Sequence, residues 1–96
     1  MSKTEMDELF KSGKKLYSPL IKLVYLPAAE KEIIISAPIR TFKRAVDRNR
    51  IKRLIRESIR KMEIGKYHLA IIYIGTKVES FENIKAELEK IIPRIK

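Results

Sequence analysis

Residues 44–58 read RAVDRNRIKRLIRES. Eight of the fifteen are charged, yet apolar side chains recur among them at helical spacing. With Ile51 at zero and about 100° per residue, Leu54, Ile55, Ser58, Ile59 and Met62 fall within about 80° of it. Asn49, Lys52, Arg53, Arg56 and Arg60 fall on the far side, within roughly 100° of arc. Arg48 and Arg50 flank the two edges near the helix start. The spacing predicts a long amphipathic helix from Phe42 to Met62, with one face against a sheet and a basic stripe on the other.

On the N-terminal side of this helix, a first helix is expected over residues 4–12. Thr4 serves as its N-cap, Met6, Leu9 and Phe10 share a face, and Gly13 stands at C′. Residues 16–26 (LYSPLIKLVYL) read as a strand, with Pro19 pushing the regular part to 20–26. EIIIS (32–36) reads as its hairpin partner across PAAEK. On the C-terminal side, YHLAIIYIG (67–75) is the third strand, and Ser80 caps a last helix carrying Phe81, Ile84, Leu88, Ile91 and Ile92. The order αββαβα predicts an α+β two-layer sandwich, a small sheet with helices packed on one face and a βαβ crossover through the long helix. At 96 residues the chain is read as a single domain, 1–96.

The chain carries a formal net charge of +10. Residues 40–61 hold ten Lys or Arg against only Asp47 and Glu57, so most of the excess lies in less than a quarter of the chain. An ordinary solvated helix face mixes signs and gains i,i+4 ion pairs. Here Lys52 faces Arg56 and Arg56 faces Arg60, each pair costing a few tenths of a kcal/mol in the free helix, on the order of 0.2–0.5. Arg also dominates over Lys, and its planar fork matches phosphate oxygens in pairs. The stripe therefore predicts a polyanion-binding surface.

Other classes find little support. There are no cysteines, hence no disulfide framework or thiolate metal site. The apolar runs are too short for a membrane helix and the N-terminus lacks a signal-peptide core, so a cytoplasmic protein is expected. His68 is the only histidine, and its place in a strand suits a structural role. No glycine-rich nucleotide fingerprint or paired-acid site appears. We expect no catalytic side chain and no protein-only metal site. The seven aromatics are expected mostly in the core, with some free to stack on single-stranded bases.

The same stretch closely resembles the signature of the bacterial ribonuclease P protein component, Ala-Val-x-Arg-Asn-Arg-x-Lys-Arg-x-x-Arg-Glu. Ala45, Val46, Arg48, Asn49, Arg50, Lys52, Arg53, Arg56 and Glu57 match it in place. LFKSGK also fits the family's first helix, with Phe10 and Gly13 in register. The resemblance implies a protein that assists a catalytic RNA, which with Mg²⁺ removes the 5′ leader of precursor tRNA. It implies RNA contacts at Arg48, Asn49, Arg50, Lys52, Arg53 and Arg56, to which the helical stripe adds Arg60. It implies a leader cleft at Phe10, with Met6 and Tyr25 or its neighbour Val24 as further candidates. The Mg²⁺ would be held by RNA and substrate, the protein and RNA would pair 1:1, and the crossover would be left-handed. Three features depart from the pattern: Met6 replaces an aromatic, the chain starts close to the first helix, and SAPIRTFKRAV replaces the usual Ser-Lys-Lys and Gly.

The rival from the residues alone is a ribosomal-type structural RNA-binding protein, which would bind folded RNA without altering tRNA processing. A DNA-binding helix protein would let duplex DNA compete with RNA, and a self-sufficient nuclease would cut without added RNA. All bind in a salt-dependent way, so salt does not separate them.

Overall fold

The computed structural model describes residues 1–95. Its elements are α1 (Lys3–Ser12), β1 (Lys14–Tyr17), β2 (Ile21–Pro27), β3 (Glu32–Ser36), α2 (Ala45–Ile59), β4 (Tyr67–Tyr73) and α3 (Phe81–Ile91), followed by a 3₁₀ turn at Ile92–Arg94. The strands form one sheet in the order β1-β2-β4-β3.

Two expectations about the sheet are corrected. Residues 16–26 are not one strand. Ser18 turns the chain, its amide donating to the Ile21 carbonyl at 2.8 Å and its hydroxyl accepting from the Ile21 amide at 3.1 Å. Pro19 has no amide to donate and sits in this turn, so β1 folds back on β2 as a tight hairpin. Nor do β2 and β3 pair with each other. β4 lies between them, antiparallel to β2 and parallel to β3. Leu69, Ala70 and Ile71 of β4 are consecutive and all essentially buried, as are Leu23, Val24 and Tyr25 of β2, which suits two inner strands covered on both faces.

The helices also divide differently from the expected one-sided layer. Ile51, Ile55 and Ile59 of α2 and Ile84, Leu88 and Ile91 of α3 pack with Ile21, Leu23, Leu69 and Ile71 into the main core. α1 lies on the opposite face, where Leu9 packs on Val24 and Ala70. The sheet is thus flanked by helices on both sides.

Local chemistry sets the helix ends. Ser2, rather than Thr4, caps α1: its hydroxyl accepts from the Glu5 amide at 3.2 Å, and the Glu5 carboxylate accepts from the Ser2 amide at 2.9 Å. This reciprocal Ser-x-x-Glu arrangement satisfies two otherwise free amides. Gly13 follows α1 in extended backbone, at φ −67°, instead of the left-handed turn expected of a C′ glycine. Glycine is needed there for space, since a Cβ would press into the Leu9 carbonyl and within 2.9 Å of Val24 Cγ1. Ser80 caps α3 as expected, accepting from the Asn83 amide at 3.2 Å.

Candidate RNA interface

α2 is shorter than its periodicity suggested. Phe42 lies before it, in a turn where the Thr41 and Phe42 amides donate to the Pro38 carbonyl. Phe42 is buried and meets the Tyr73 ring at 5.8 Å between centroids. It anchors the start of the helix to the end of the sheet.

The docking stripe is as expected. Ile51, Ile55, Ser58 and Ile59 are buried and Leu54 is half-buried. Ser58 meets its polar requirement by donating to the Leu54 carbonyl at 2.7 Å. The outward face carries Asn49, Arg50, Arg53, Arg56 and Arg60, all exposed, with Lys52 half-buried at its edge. Arg60 pairs with Glu57 at 3.2 Å. Among the described residues, Arg48, Arg50, Lys52, Arg53 and Arg56 have no carboxylate partner. Those charges are available to an external anion, and a free guanidinium offers five donors in a fixed fork.

Arg48 stands apart from the others. Its Nη1 donates to the carbonyls of Phe42 at 2.8 Å and Lys43 at 2.9 Å. One edge of the guanidinium thus holds the turn that precedes α2, leaving the remaining N–H groups for an outside partner. A sequence signal for this existed. Arg48 projects only about 60° from Ile51 on the helical wheel, nearer the core side than the middle of the stripe.

The first-helix candidates separate on the two sides of the sheet. Phe10 and Met6 are partly exposed on α1, at 42% and 37%. Tyr25 is buried on the opposite sheet face, edge-on to Tyr67 at 5.8 Å. It does not share a surface with Phe10. Val24 does lie on the α1 face, but fully buried beneath Leu9. Strand alternation places neighbours 24 and 25 on opposite faces, and only the tertiary fold decides which face α1 covers.

The sequence reading missed a residue on this surface. Tyr17, expected in the core, is 58% exposed on β1, and Lys22 Nζ lies 5.7 Å from its ring centroid. His68 is mostly covered, 3.7 Å from Glu5, in keeping with a structural place. Among the described residues, no group of three His, Asp or Glu side chains could hold a metal ion. Among the described residues, no helix is long and apolar enough to cross a membrane.

With the αβ architecture and the arginine-bearing helix in place, the comparisons become specific. The family described as Ribonuclease P matches residues 1–96. The chain belongs to the ribonuclease P family. It is a bacterial-type protein subunit, an accessory in a ribonucleoprotein enzyme that assists RNA-catalysed removal of the 5′ leader from precursor tRNA. Among solved structures, the Staphylococcus aureus RNase P protein matches at 22% identity, covering 100% of this chain and 93% of that one, with a TM-score of 0.86. The Thermotoga maritima RNase P protein matches at 22% identity over 96% of this chain and 92% of that one, with a TM-score of 0.84. At these identities the structures speak to the fold, while the family match speaks to the lineage. Among curated proteins, none matches the sequence.

Proposed function

We propose that the outward face of α2 is the surface through which this subunit grips the catalytic RNA. Arg50, Lys52, Arg53, Arg56 and Arg60 would meet phosphates, and Asn49 would add hydrogen bonds beside them. Arg48 would contact RNA with the edge of its guanidinium that the turn does not use. The observation that carries this reading is the exposed run Arg50, Arg53 and Arg56, without carboxylate partners among the described residues, on a helix whose other face is fixed in the core. Binding neutralises charges that otherwise repel one another, and it releases counterions from the RNA.

The 5′ leader of the precursor tRNA would lie on the α1 side of the sheet, against Phe10 and Met6. Single-stranded bases are unstacked and can settle on an exposed ring, as duplex bases cannot. The chain brings no catalytic side chain to the cleavage. Mg²⁺ would be held by RNA and substrate phosphates, which suits an ion that keeps most of its waters and takes few protein ligands. The complex would hold one protein per RNA in the cytoplasm, and 1–96 would act as one domain. The parallel β3–α2–β4 crossover would be left-handed, as in the family.

The test is reconstitution. Purified protein, a bacterial catalytic RNA and labelled precursor tRNA are combined at low Mg²⁺, with controls lacking each component. Leader release should require the RNA and rise with intact protein. It should not rise with a protein carrying Arg50→Ala and Arg53→Ala. Tight RNA binding with no effect on cleavage by several catalytic RNAs would instead indicate a structural RNA-binding role.

A further inference from the structure

The two outer strands of the sheet, β1 and β3, are built differently. β1 is four residues long and carries Lys14 and Lys15, both exposed. Short strands and edge lysines discourage further pairing. β3 instead carries Ile33, Ile34 and Ile35 in succession, with charge only at Glu32, its first residue. Among the described residues, β3 pairs with β4 alone, and no other backbone hydrogen bond reaches residues 32–36. The outer row of amides and carbonyls on β3 is therefore open to another chain.

Beside that row lies a groove. Ile33 and Ile35 pack toward the main core, and with Ile59 and Ile64 they line a cavity of about 280 Å³. The other side chains that line it are Lys31, Arg56 and Arg60, with no acid among them. Arg60 holds Glu57 at 3.2 Å, whereas Lys31 and Arg56 have no carboxylate partner among the described residues. The groove thus has an apolar floor and a cationic rim, directly against an unpaired strand edge.

These features select an occupant. A row of unpaired backbone groups is completed by another extended backbone, and pockets beside it hold side chains of the added strand. The floor suits apolar side chains and the rim suits carboxylates. A second copy of this chain fits poorly. β3 against β3 would be a two-fold contact, bringing Lys31, Arg56 and Arg60 of one copy toward the same three of the other, on molecules that each carry +10. An RNA backbone would answer the rim but not the isoleucine floor.

We propose that the outer edge of β3 docks an extended acidic segment of a partner protein, which joins the sheet as a fifth strand. The five residues of β3 span about 17 Å, so a segment of about five to seven residues covers the edge. Its central apolar residues rest on the isoleucine floor, and acidic residues toward its ends reach Lys31, Arg56 and Arg60. Arg56 and Arg60 also belong to the RNA face of α2, so Lys31 is the charge that distinguishes this site from that one.

The experiment titrates the full chain with the peptide Glu-Glu-Val-Ile-Val-Glu-Glu, blocked at both ends, and follows affinity and backbone amide exchange. The peptide should bind, and amides of residues 32–36 that exchange readily in the protein alone should become protected. Methylating alternate peptide nitrogens removes the donors along one edge of the added strand. One of the two alternations should weaken binding about tenfold, and the other should not. Lys31→Glu, at an exposed position, should weaken binding about fivefold and leave protein-assisted leader release unchanged. A peptide with lysines in place of the glutamates should not bind. No binding, indifference to both methylation patterns, indifference to Lys31→Glu, or equal binding of the lysine peptide would overturn the proposal. A protein that sediments as a dimer with these amides already protected would overturn it in favour of a second copy. Protection of the same amides by RNA and not by the peptide would overturn it in favour of RNA.

Discussion

Ile71 and Ile72 are neighbours on β4, and the sheet divides their fates. Ile71 points into the face sealed by α2 and α3 and is fully buried. Ile72 points to the face that α1 covers only in part, and it keeps some exposure. One face of the sheet holds the protein together. The other is left open enough for a ligand to complete. The same division runs through α2, whose isoleucines are spent on the core and whose Arg50, Arg53 and Arg56 have no carboxylate partner among the described residues.

The sharpest way to break this comparison is at β4 itself. Ile71→Ala should cost about 2–5 kcal/mol of stability, because the sealed face leaves a cavity. Ile72→Ala should cost half of that or less, since part of its surface is already wet. Denaturant midpoints for the two variants would measure the difference. Equal losses would mean that the faces are equally packed.

A second comparison sets Arg48 against Arg50. Removing Arg48 takes away two hydrogen bonds that hold the turn before α2, so Arg48→Ala should lose about 1–2 kcal/mol. Arg50→Ala should leave stability within about 0.5 kcal/mol. Both should weaken RNA binding, and Arg50→Ala should reduce the slope of log affinity against log salt by about 1. Thermal melts beside salt titrations would separate the two roles.

A smaller effect is expected from anions alone. Sulfate or phosphate should raise the melting temperature, and a tenfold excess over the dissociation constant corresponds to about 1.4 kcal/mol. A protein with Arg50, Arg53 and Arg56 changed to Ala should respond less. A melting temperature indifferent to these anions would count against a preformed site.

The smallest effect belongs to α1. The Ser2 amide and hydroxyl hold the Glu5 carboxyl below its ordinary value of 4.5. A lowered value in the folded chain means that ionised Glu5 favours the cap above pH 4.5, and that this support fades as pH falls through the lowered value. Amide exchange in the first turn of α1 should therefore accelerate in acid beyond its intrinsic rate. Glu5→Gln should remove that step. The main core should not respond, because the Glu5–Ser2 contact touches none of it.

How much of this was legible in the residues varies with the range of the interactions involved. The two faces of α2 follow from a local period, so Ile51, Ile55, Ser58 and Ile59 could be placed without a structure. The sheet order could not. The hydrophobic runs of β2 and β3 are compatible with each other, and the insertion of β4 between them is a long-range pairing that no local pattern specifies. Tyr25 and Tyr17 were misplaced for a related reason. Alternation tells which residues share a face, but the helix that covers that face comes from elsewhere in the chain. Ser2-x-x-Glu5 was readable as a capping box, and Thr4 drew attention away from it. The hydrogen bonds of Arg48 to the Phe42 and Lys43 carbonyls were not legible, because they depend on the turn before α2.

The central position of β4 has a consequence for how the chain is made. Among the described residues, β3 pairs with β4 alone, and the β1–β2 hairpin is joined to the rest of the sheet only through β4. During synthesis the sheet cannot assemble until residue 73 has left the ribosome. Until then the isoleucines of β3 and α2 lack Leu69 and Ile71, the centre of the sheet face they pack on. Closure of the sheet depends on pairings far apart in sequence, which form slowly compared with helices and hairpins. The four-stranded sheet is therefore completed only when the last strand slots between two made before it.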